Sequence, residues 1–418
     1  MDYFLINGGK KLYGSVAVDT AKNALLPILA GCLMCSGVVK LKQVTYYQDI
    51  ENMLEILKSL GVKIQKNEKE LILDCTYIDK YIIPLELASK LRASIFCLGP
   101  LLSRLKKARL AYPGGCAIGS RPIDLHLSGL AKMGTYILDK HGYITAYKNE
   151  FKSGKVYLAF PSVGATENLV MASVLGTGRQ EIFGCAKEPE IVDLCNFLNS
   201  LGAKIYGAGT DNIVVQGVKK LFGGEYTPIP DRIVTGTYLM LPLISGGEIE
   251  LTNANPKHIT PLLQLLENNS CKIKVSGDRI KVACKNRPKN LGKVETLPYP
   301  HFPTDLQQPL SSLACIARGT TIITENLFEG RFKHVPELVK MGAKINICES
   351  SMVIQGVKEL YGAEVTATDL RGGVALVMAG LKANGYTTVK NAEIIDRGYY
   401  KLEQTLCLLG ADVTRHKE

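Results

Sequence analysis

LKSLGVKI (57–64), LAKMGTYI (130–137), LNSLGAKI (198–205), LVKMGAKI (338–345) and LCLLGADV (406–413) are copies of one phrase, and LLENNSCKI (265–273) is a degenerate one. Leucines three apart mark the apolar stripe at the end of a helix. The glycine after them can take the left-handed conformation that caps it. The alternating V-K-I or A-K-I then starts a strand. From Gly61 through Gly134, Gly202, Ser270 and Gly342 to Gly410 the gaps are 73, 68, 68, 72 and 68 residues. A chain of 418 residues therefore divides into six units of about 70, the mark of a repeat architecture.

Each unit also opens with a more apolar helix. These openings are KNALLPILAGCLMCSG (22–37), RASIFCLGPLLSRL (92–105), SVGATENLVMASVLGTG (162–178), DRIVTGTYLMLPLISGG (231–247), PTDLQQPLSSLACIARG (303–319) and DLRGGVALVMAGLKANG (369–385). Their apolar residues recur on more than one face, which predicts burial. NIVVQGVKKLFGGEY (212–226) returns two units later as MVIQGVKELYGAEV (352–365). The expected unit is a β-α-β-α-β-β module, in an α/β protein. Six modules exceed one core, so three per domain is the natural division. The turn-rich TPIPDR (227–232) sets the boundary. One domain then covers residues 21–229, and the second covers 1–20 plus 230–418, with the first twenty residues lending it strands.

Composition narrows the function. The hydrophobic fraction of 46% and charged fraction of 21% describe an ordinary globular protein, and a net charge of +11 favours anionic partners. No long Lys/Arg run occurs and Trp is absent, so nothing points to nucleic acid. Twelve cysteines at irregular spacings fit reduced thiols in the cytoplasm. Cys32 and Cys35 form a CxxC with no second pair at zinc spacing, and are expected in the core. LAGC (29–32) imitates a lipoprotein cleavage site, but Asp2 and Asp19 lie in the supposed basic leader, and the apolar run is too short to span a membrane.

Two features carry chemistry. PGGCAIGSRPIDLH (113–126) sets Cys116 among glycines with Arg121, Asp124 and His126 close behind. That is the composition of a mobile loop able to carry a thiol, and equally of a surface turn with an incidental cysteine. The apolar helices also begin with charge or amide: Lys22-Asn23, Arg92, Asp231-Arg232, Asp305 and Asp369-Leu370-Arg371. Capping explains Asp305 and Asp369. It does not explain Lys22, Arg92 or Arg371, because cations oppose the dipole at a helix N-terminus; an anionic ligand resolves the conflict. Arg331 and Arg397 lie in loops, where pairing with a surface carboxylate is the default. His126, His301 and His334 follow no metal spacing, and no P-loop or serine elbow is present.

These stretches, together with AKNALLPILA, PSVGATEN, FPTDLQ, GRFKHVPELVKMGA, ATDLRGG and IDRGY, resemble the UDP-N-acetylglucosamine enolpyruvyl transferases in order and spacing along essentially the whole chain. The resemblance implies an inside-out α/β barrel of two domains with the active site in the cleft between them. It implies transfer of the enolpyruvyl group of phosphoenolpyruvate to the 3′-hydroxyl of UDP-N-acetylglucosamine, with release of phosphate, by addition and elimination: the first committed step of peptidoglycan synthesis. Cys116 matches the general acid at the methylene carbon, which can also carry a covalent pyruvyl adduct, and Asp305 matches the base at the sugar hydroxyl. Lys22, Asn23, Arg121 and Arg397 match groups that hold phosphoenolpyruvate, with Arg331 and Arg371 as supporting cations. Arg92, Arg121, Pro122, Ile123, Asp124, Leu125, Ser162, Val163, Gly164, Asp305 and Leu327 match contacts to the nucleotide sugar. No metal or other cofactor is implied. The sequence departs from some relatives at Phe160-Pro161, where they carry a lysine-containing segment. The shikimate-pathway enolpyruvyl transferase has the same architecture but lacks the cysteine loop. A silent relative that only binds the nucleotide sugar would be expected to have lost Cys116, Asp305, Lys22 or Arg397; all four are present.

Overall fold

The computed structural model describes residues 2–114, 123–148, 153–267, 269 and 271–417. The five phrase glycines all have left-handed backbone, with φ of 103° at Gly61, 83° at Gly134, 106° at Gly202, 91° at Gly342 and 93° at Gly410. Each ends a helix and releases the chain into a strand, as the phrase predicts. Helix Gln48–Ser59 shows why these helices form: Ile50, Met53, Leu54 and Leu57 fall on one buried face. Asp49 and Glu51 in its first turn and Lys58 in its last complement the dipole.

The opening helices are buried nearly all round. In Lys22–Cys32 every residue but Asn23 is buried, and in Leu370–Lys382 every residue but Lys382. Two of the six openings start differently from the sequence expectation. Arg92–Cys97 and Thr304–Leu306 are 3-10 turns that run into the α-helices Leu98–Leu105 and Gln307–Ile316.

Around these helices the described strands form six four-stranded sheets with one pairing scheme: a parallel pair followed by two antiparallel pairs. The sheet of Lys293–Thr296, Thr320–Glu325, Ser351–Gln355 and Lys344–Cys348 is typical, with Val294 beside Ile323, Ile323 opposite Met352 and Ile345 opposite Ile354. Three sheets are contiguous in sequence and three borrow a strand. Asp2–Asn7 pairs with Tyr386–Lys390 and Asp412–Lys417; Leu12–Ala17 pairs with Gly247–Thr252; Gly224–Tyr226 pairs with Val38–Lys42. Each sheet is open, since four strands are too few to close on themselves. The barrel implied by resemblance therefore corresponds here to separate sheets, with no closed barrel among the described residues.

The described residues divide into two compact units, one of those up to Asp19 with those from Pro230 onward, the other of those within 20–114 and 123–229. In the first, helices Arg232–Ser245, Gln307–Ile316 and Leu370–Lys382 pack on one another. In the second, Lys22–Cys32 packs on Pro189–Ser200, and Leu98–Leu105 on Val163–Val174. No helix among the described residues is long and apolar enough to cross a membrane.

Candidate active site

In the first unit three candidates meet. Asp305 sits in the 3-10 turn ahead of helix Gln307–Ile316 and does not cap it. Its carboxylate lies instead between two guanidinium groups. Arg331 Nη2 donates to Oδ1 at 2.7 Å, and Arg371 donates to Oδ2 from Nε at 3.3 Å and from Nη2 at 3.1 Å. The arginine side chains are only 5% and 3% exposed, against 23% for Asp305. The surface pairing expected of Arg331 is therefore wrong in place, because this ion pair is internal. The capping expectation for Asp305 fails for the same reason. Asp369 does cap: it accepts from the N–H groups of Arg371 and Gly372 at 3.0 and 2.9 Å, which fixes the helix start that carries Arg371. Asp231 does the same for helix Arg232–Ser245.

Two buried donors of this cluster, Arg331 Nε and Arg371 Nη1, have no hydrogen-bond partner among the described residues. An orphaned buried donor costs roughly 1–3 kcal/mol, so an added anion finds prepaid donors here. Arg371 also lies over the ring of Tyr399, 5.3 Å from its centroid, and the Tyr399 hydroxyl is 2.8 Å from Thr237 Oγ1. Burial opposes the charge of Arg371, but Tyr399 first, then the carboxylates of Asp305 and Asp231, raise its pKa above the ordinary value. Behind Arg331, His334 Nε2 donates to Ser311 Oγ at 2.8 Å, while Ser311 donates to the Gln308 carbonyl at 2.6 Å.

Burial pushes the His334 imidazole down to about 4. It is neutral when folded and takes up a proton on unfolding below its ordinary pKa near 6.5. Stability is therefore expected to fall as pH drops from about 6.5 toward 4, by up to roughly 3 kcal/mol from this group. Thermal unfolding across that range should show a shallower acid limb in His334→Gln; an unchanged limb would remove the assignment.

Leu327 enters the same neighbourhood through a residue the sequence reading missed. Glu325, 5% exposed, accepts from the N–H groups of Leu327 and Phe328 at 2.9 and 3.2 Å and from Thr304 Oγ1 at 2.8 Å. One carboxylate thus shapes the Leu327 loop and holds the residue next to Asp305. Arg397 is half-buried in the segment after helix Ala392–Ile395. Its neighbour Asp396 is fixed by Arg415, which also pairs with Asp2.

In the second unit Lys22 donates to Asp49 Oδ2 at 3.0 Å, with both side chains at most 10% exposed. This partner eases the conflict of a cation at a helix start. Asp49 was missed because it belongs to the next helix of the module. Asn23 is half-buried beside it. Three candidate segments converge on Asn168. Its Nδ2 donates to the Ile95 carbonyl at 2.9 Å and to His126 Nδ1 at 2.8 Å, and its Oδ1 accepts from Gly99 N at 2.8 Å. That joins the Arg92 turn to the helix begun by Asp124 and Leu125. Gly164 closes the group, since a Cβ there would lie 3.0 Å from the His126 ring and 3.1 Å from Phe96. Ser162 caps its helix by accepting from Ala165 N at 3.4 Å; Val163 and Arg92 are half-buried, Ile123 buried and Asp124 exposed. Cys116, Arg121 and Pro122 lie outside the described residues. No group of three His, Cys, Asp or Glu among the described residues is arranged to hold a metal ion.

Residues 6–406 match the family described as EPSP synthase (3-phosphoshikimate 1-carboxyvinyltransferase). A protein of Caldanaerobacter subterraneus subsp. tengcongensis named UDP-N-acetylglucosamine 1-carboxyvinyltransferase 2 is 48% identical across 99% of this chain and 100% of its own. The chain belongs to the UDP-N-acetylglucosamine 1-carboxyvinyltransferase family. A second such protein, from Carboxydothermus hydrogenoformans, is also 48% identical over 99% of both chains, and the Caldanaerobacter protein named with the number 1 is 44% identical over 99% of both. Among solved structures, the enolpyruvyl transferase NikO from Streptomyces tendae superposes with a TM-score of 0.88 at 23% identity, covering 100% of this chain and 99% of that one. EPSP synthase from Acinetobacter baumannii gives 0.76 at 16% identity over 100% of both chains. At those identities the two structures speak for the fold alone. Among the residues the sequence reading missed, Asp49, Glu325 and Tyr399 each touch a side chain or segment that the resemblance to this carboxyvinyltransferase family picks out.

Proposed function

We propose that this chain transfers the enolpyruvyl group of phosphoenolpyruvate to the 3′-hydroxyl of UDP-N-acetylglucosamine and releases phosphate, opening peptidoglycan synthesis in the cytoplasm. The observation that carries this reading is near-full-length identity of 44–48% to proteins named for that reaction. The pairing of Asp305 with two buried arginines supports it, because a base and anion-binding cations are what the chemistry needs in one place.

In this reading Asp305 takes the proton of the sugar hydroxyl, and the freed oxygen attacks C2 of phosphoenolpyruvate. Cys116 gives its proton to the methylene carbon, which completes a tetrahedral adduct. Elimination then breaks the C2–O bond to phosphate as the methyl carbon returns a proton, and the enol ether remains. Lys22, Asn23, Arg121 and Arg397 hold the phosphate and carboxylate, aided by Arg331 and Arg371. Arg92, Arg121–Leu125, Ser162–Gly164, Asp305 and Leu327 hold the nucleotide sugar. We assign no metal or other cofactor. A covalent pyruvyl adduct at Cys116, formed by adding its S–H across the double bond of phosphoenolpyruvate so that sulfur joins C2 and the proton joins the methylene carbon, is the covalent form the chemistry allows. The same reading takes the chain as six like modules, three per domain, in the inside-out arrangement of its family.

The test is phosphate release from phosphoenolpyruvate with UDP-N-acetylglucosamine, with shikimate 3-phosphate, and with no acceptor. Release only with the nucleotide sugar is expected. Release with shikimate 3-phosphate would move the chain to the other acceptor, and tight nucleotide-sugar binding without release would make it a silent binder. Cys116→Ser should lower turnover by roughly 10²–10⁴ while UDP-N-acetylglucosamine still binds. Unchanged turnover there would remove the acid role. An epoxide of the fosfomycin type should inactivate the protein with a single adduct by mass spectrometry; full activity after prolonged exposure, with no adduct, would count against an accessible, reactive Cys116.

A further inference from the structure

We propose that Cys271 and Cys284 are a cross-strand dithiol that a small-molecule disulfide oxidises to an intramolecular disulfide, a modification site remote in sequence from the Cys116 loop. The two residues sit directly opposite each other on the antiparallel strands Cys271–Ser276 and Arg279–Cys284. Both are thiols in this structure.

The turn decides which kind of pair they form. The strands are joined by Gly277 and Asp278 alone, and Gly277 has φ of 61°. In a two-residue hairpin of this kind the flanking pair, Ser276 and Arg279, exchanges backbone hydrogen bonds. Bonded and non-bonded pairs then alternate along the register, through Val275–Ile280, Lys274–Lys281, Ile273–Val282 and Lys272–Ala283. Cys271 and Cys284 are the fifth pair beyond the flanking one and so are non-hydrogen-bonded. In such pairs the Cα atoms are about 4.5 Å apart and the side chains are closest. A disulfide spans Cα separations of roughly 4.4–6.8 Å, so the bond needs little backbone movement.

The alternation also puts both side chains on one face of the sheet. Ile280, Val282 and Cys284 belong to the buried core, with Cys271 and Ile273 packed against it. In the reduced state each thiol is satisfied by a backbone carbonyl, Cys271 by Leu266 at 3.2 Å and Cys284 by Asn286 at 3.3 Å. Cys271 is half-buried and Cys284 buried, so Cys271 is the thiol an oxidant meets first. Burial, with Cys284 adding to it, pushes Cys271 up to about 11, so attack through its thiolate is slow at neutral pH and quickens as pH rises.

With oxidised glutathione as oxidant the step balances. Cys271 loses its proton and attacks one sulfur, and the reagent S–S bond breaks to release one glutathione. The Cys284 thiolate then attacks the Cys271 sulfur and expels the second glutathione. Two protein thiols lose two hydrogens, and the reagent gains them.

The experiment incubates the full chain with oxidised glutathione over a pH series, alkylates the remaining thiols and maps peptides without reduction. The expected product is a linked pair of peptides carrying Cys271 and Cys284, faster to form at higher pH and abolished by dithiothreitol. In Cys271→Ser, Cys284 should stay alkylatable; in Cys284→Ser, Cys271 should retain a glutathione it cannot pass on. The oxidised wild type should keep its catalytic rate per molecule when Cys116 is protected by bound substrates. Wild-type peptides in which both cysteines are alkylated, or each carries glutathione, would overturn the proposal.

Discussion

Asp305→Asn is expected to reduce turnover by roughly 10³-fold or more while leaving binding of the nucleotide sugar measurable. The substitution keeps shape and removes both the negative charge and the capacity to accept a proton. It also breaks the local hydrogen-bond logic. Both carboxylate oxygens accept from guanidinium groups, Oδ1 from Arg331 and Oδ2 from Arg371. Whichever way an amide is turned, its NH₂ faces a donor. Two buried cations then lose their counter-charge, and breaking a buried pair by removing one partner costs about 3–5 kcal/mol when both are fully buried. Asp305 is 23% exposed, so the cost here should fall below that range. Activity should therefore drop much further than stability. Turnover within tenfold of the parent, in protein whose unfolding temperature is unchanged, would show that Asp305 is not the base.

The repeat was legible because its signal is local. A glycine in the left-handed region after a leucine stripe is visible in eight residues, and five such glycines have the expected backbone. The crossing strands were legible only as a remainder, since residues 1–20 lacked a full module. Their partners, Tyr386–Lys390 and Gly247–Thr252, lie hundreds of positions away, where no periodicity points. The candidate residues divide in the same way. A cation at a helix start is a local conflict and drew attention to Lys22 and Arg371. The residues that answer it, Asp49 and Asp305, come from other helices, and only packing brings them near. Glu325 was missed because a glutamate at the end of a strand is ordinary until its two oxygens are seen to organise three neighbours. Tyr399 was missed because IDRGYY drew attention to its arginine, whereas the fully buried ring lies two residues on.

Arg371→Gln is the second large effect, and it separates support of Asp305 from a role in binding substrate. Arg371 is 3% exposed, clamps Asp305 through two nitrogens and lies against the Tyr399 ring. Glutamine is too short to keep either contact, so Asp305 falls back on Arg331 alone. The buried pair predicts a loss of a few kcal/mol, read as a lower unfolding temperature. Turnover should fall by roughly 10²–10³, the usual range for removing one preorganised donor. Nη1, which has no hydrogen-bond partner among the described residues, makes the distinction. If that donor meets the anionic substrate, KM for phosphoenolpyruvate should rise as well; if Arg371 serves Asp305 alone, kcat falls and KM holds. The double variant Asp305→Asn/Arg371→Gln should lose much less than the product of the two single losses, because each already disables the same ion pair. Fully multiplicative losses would mean that the two residues act independently, and the clamp would then be a structural contact with no part in the chemistry.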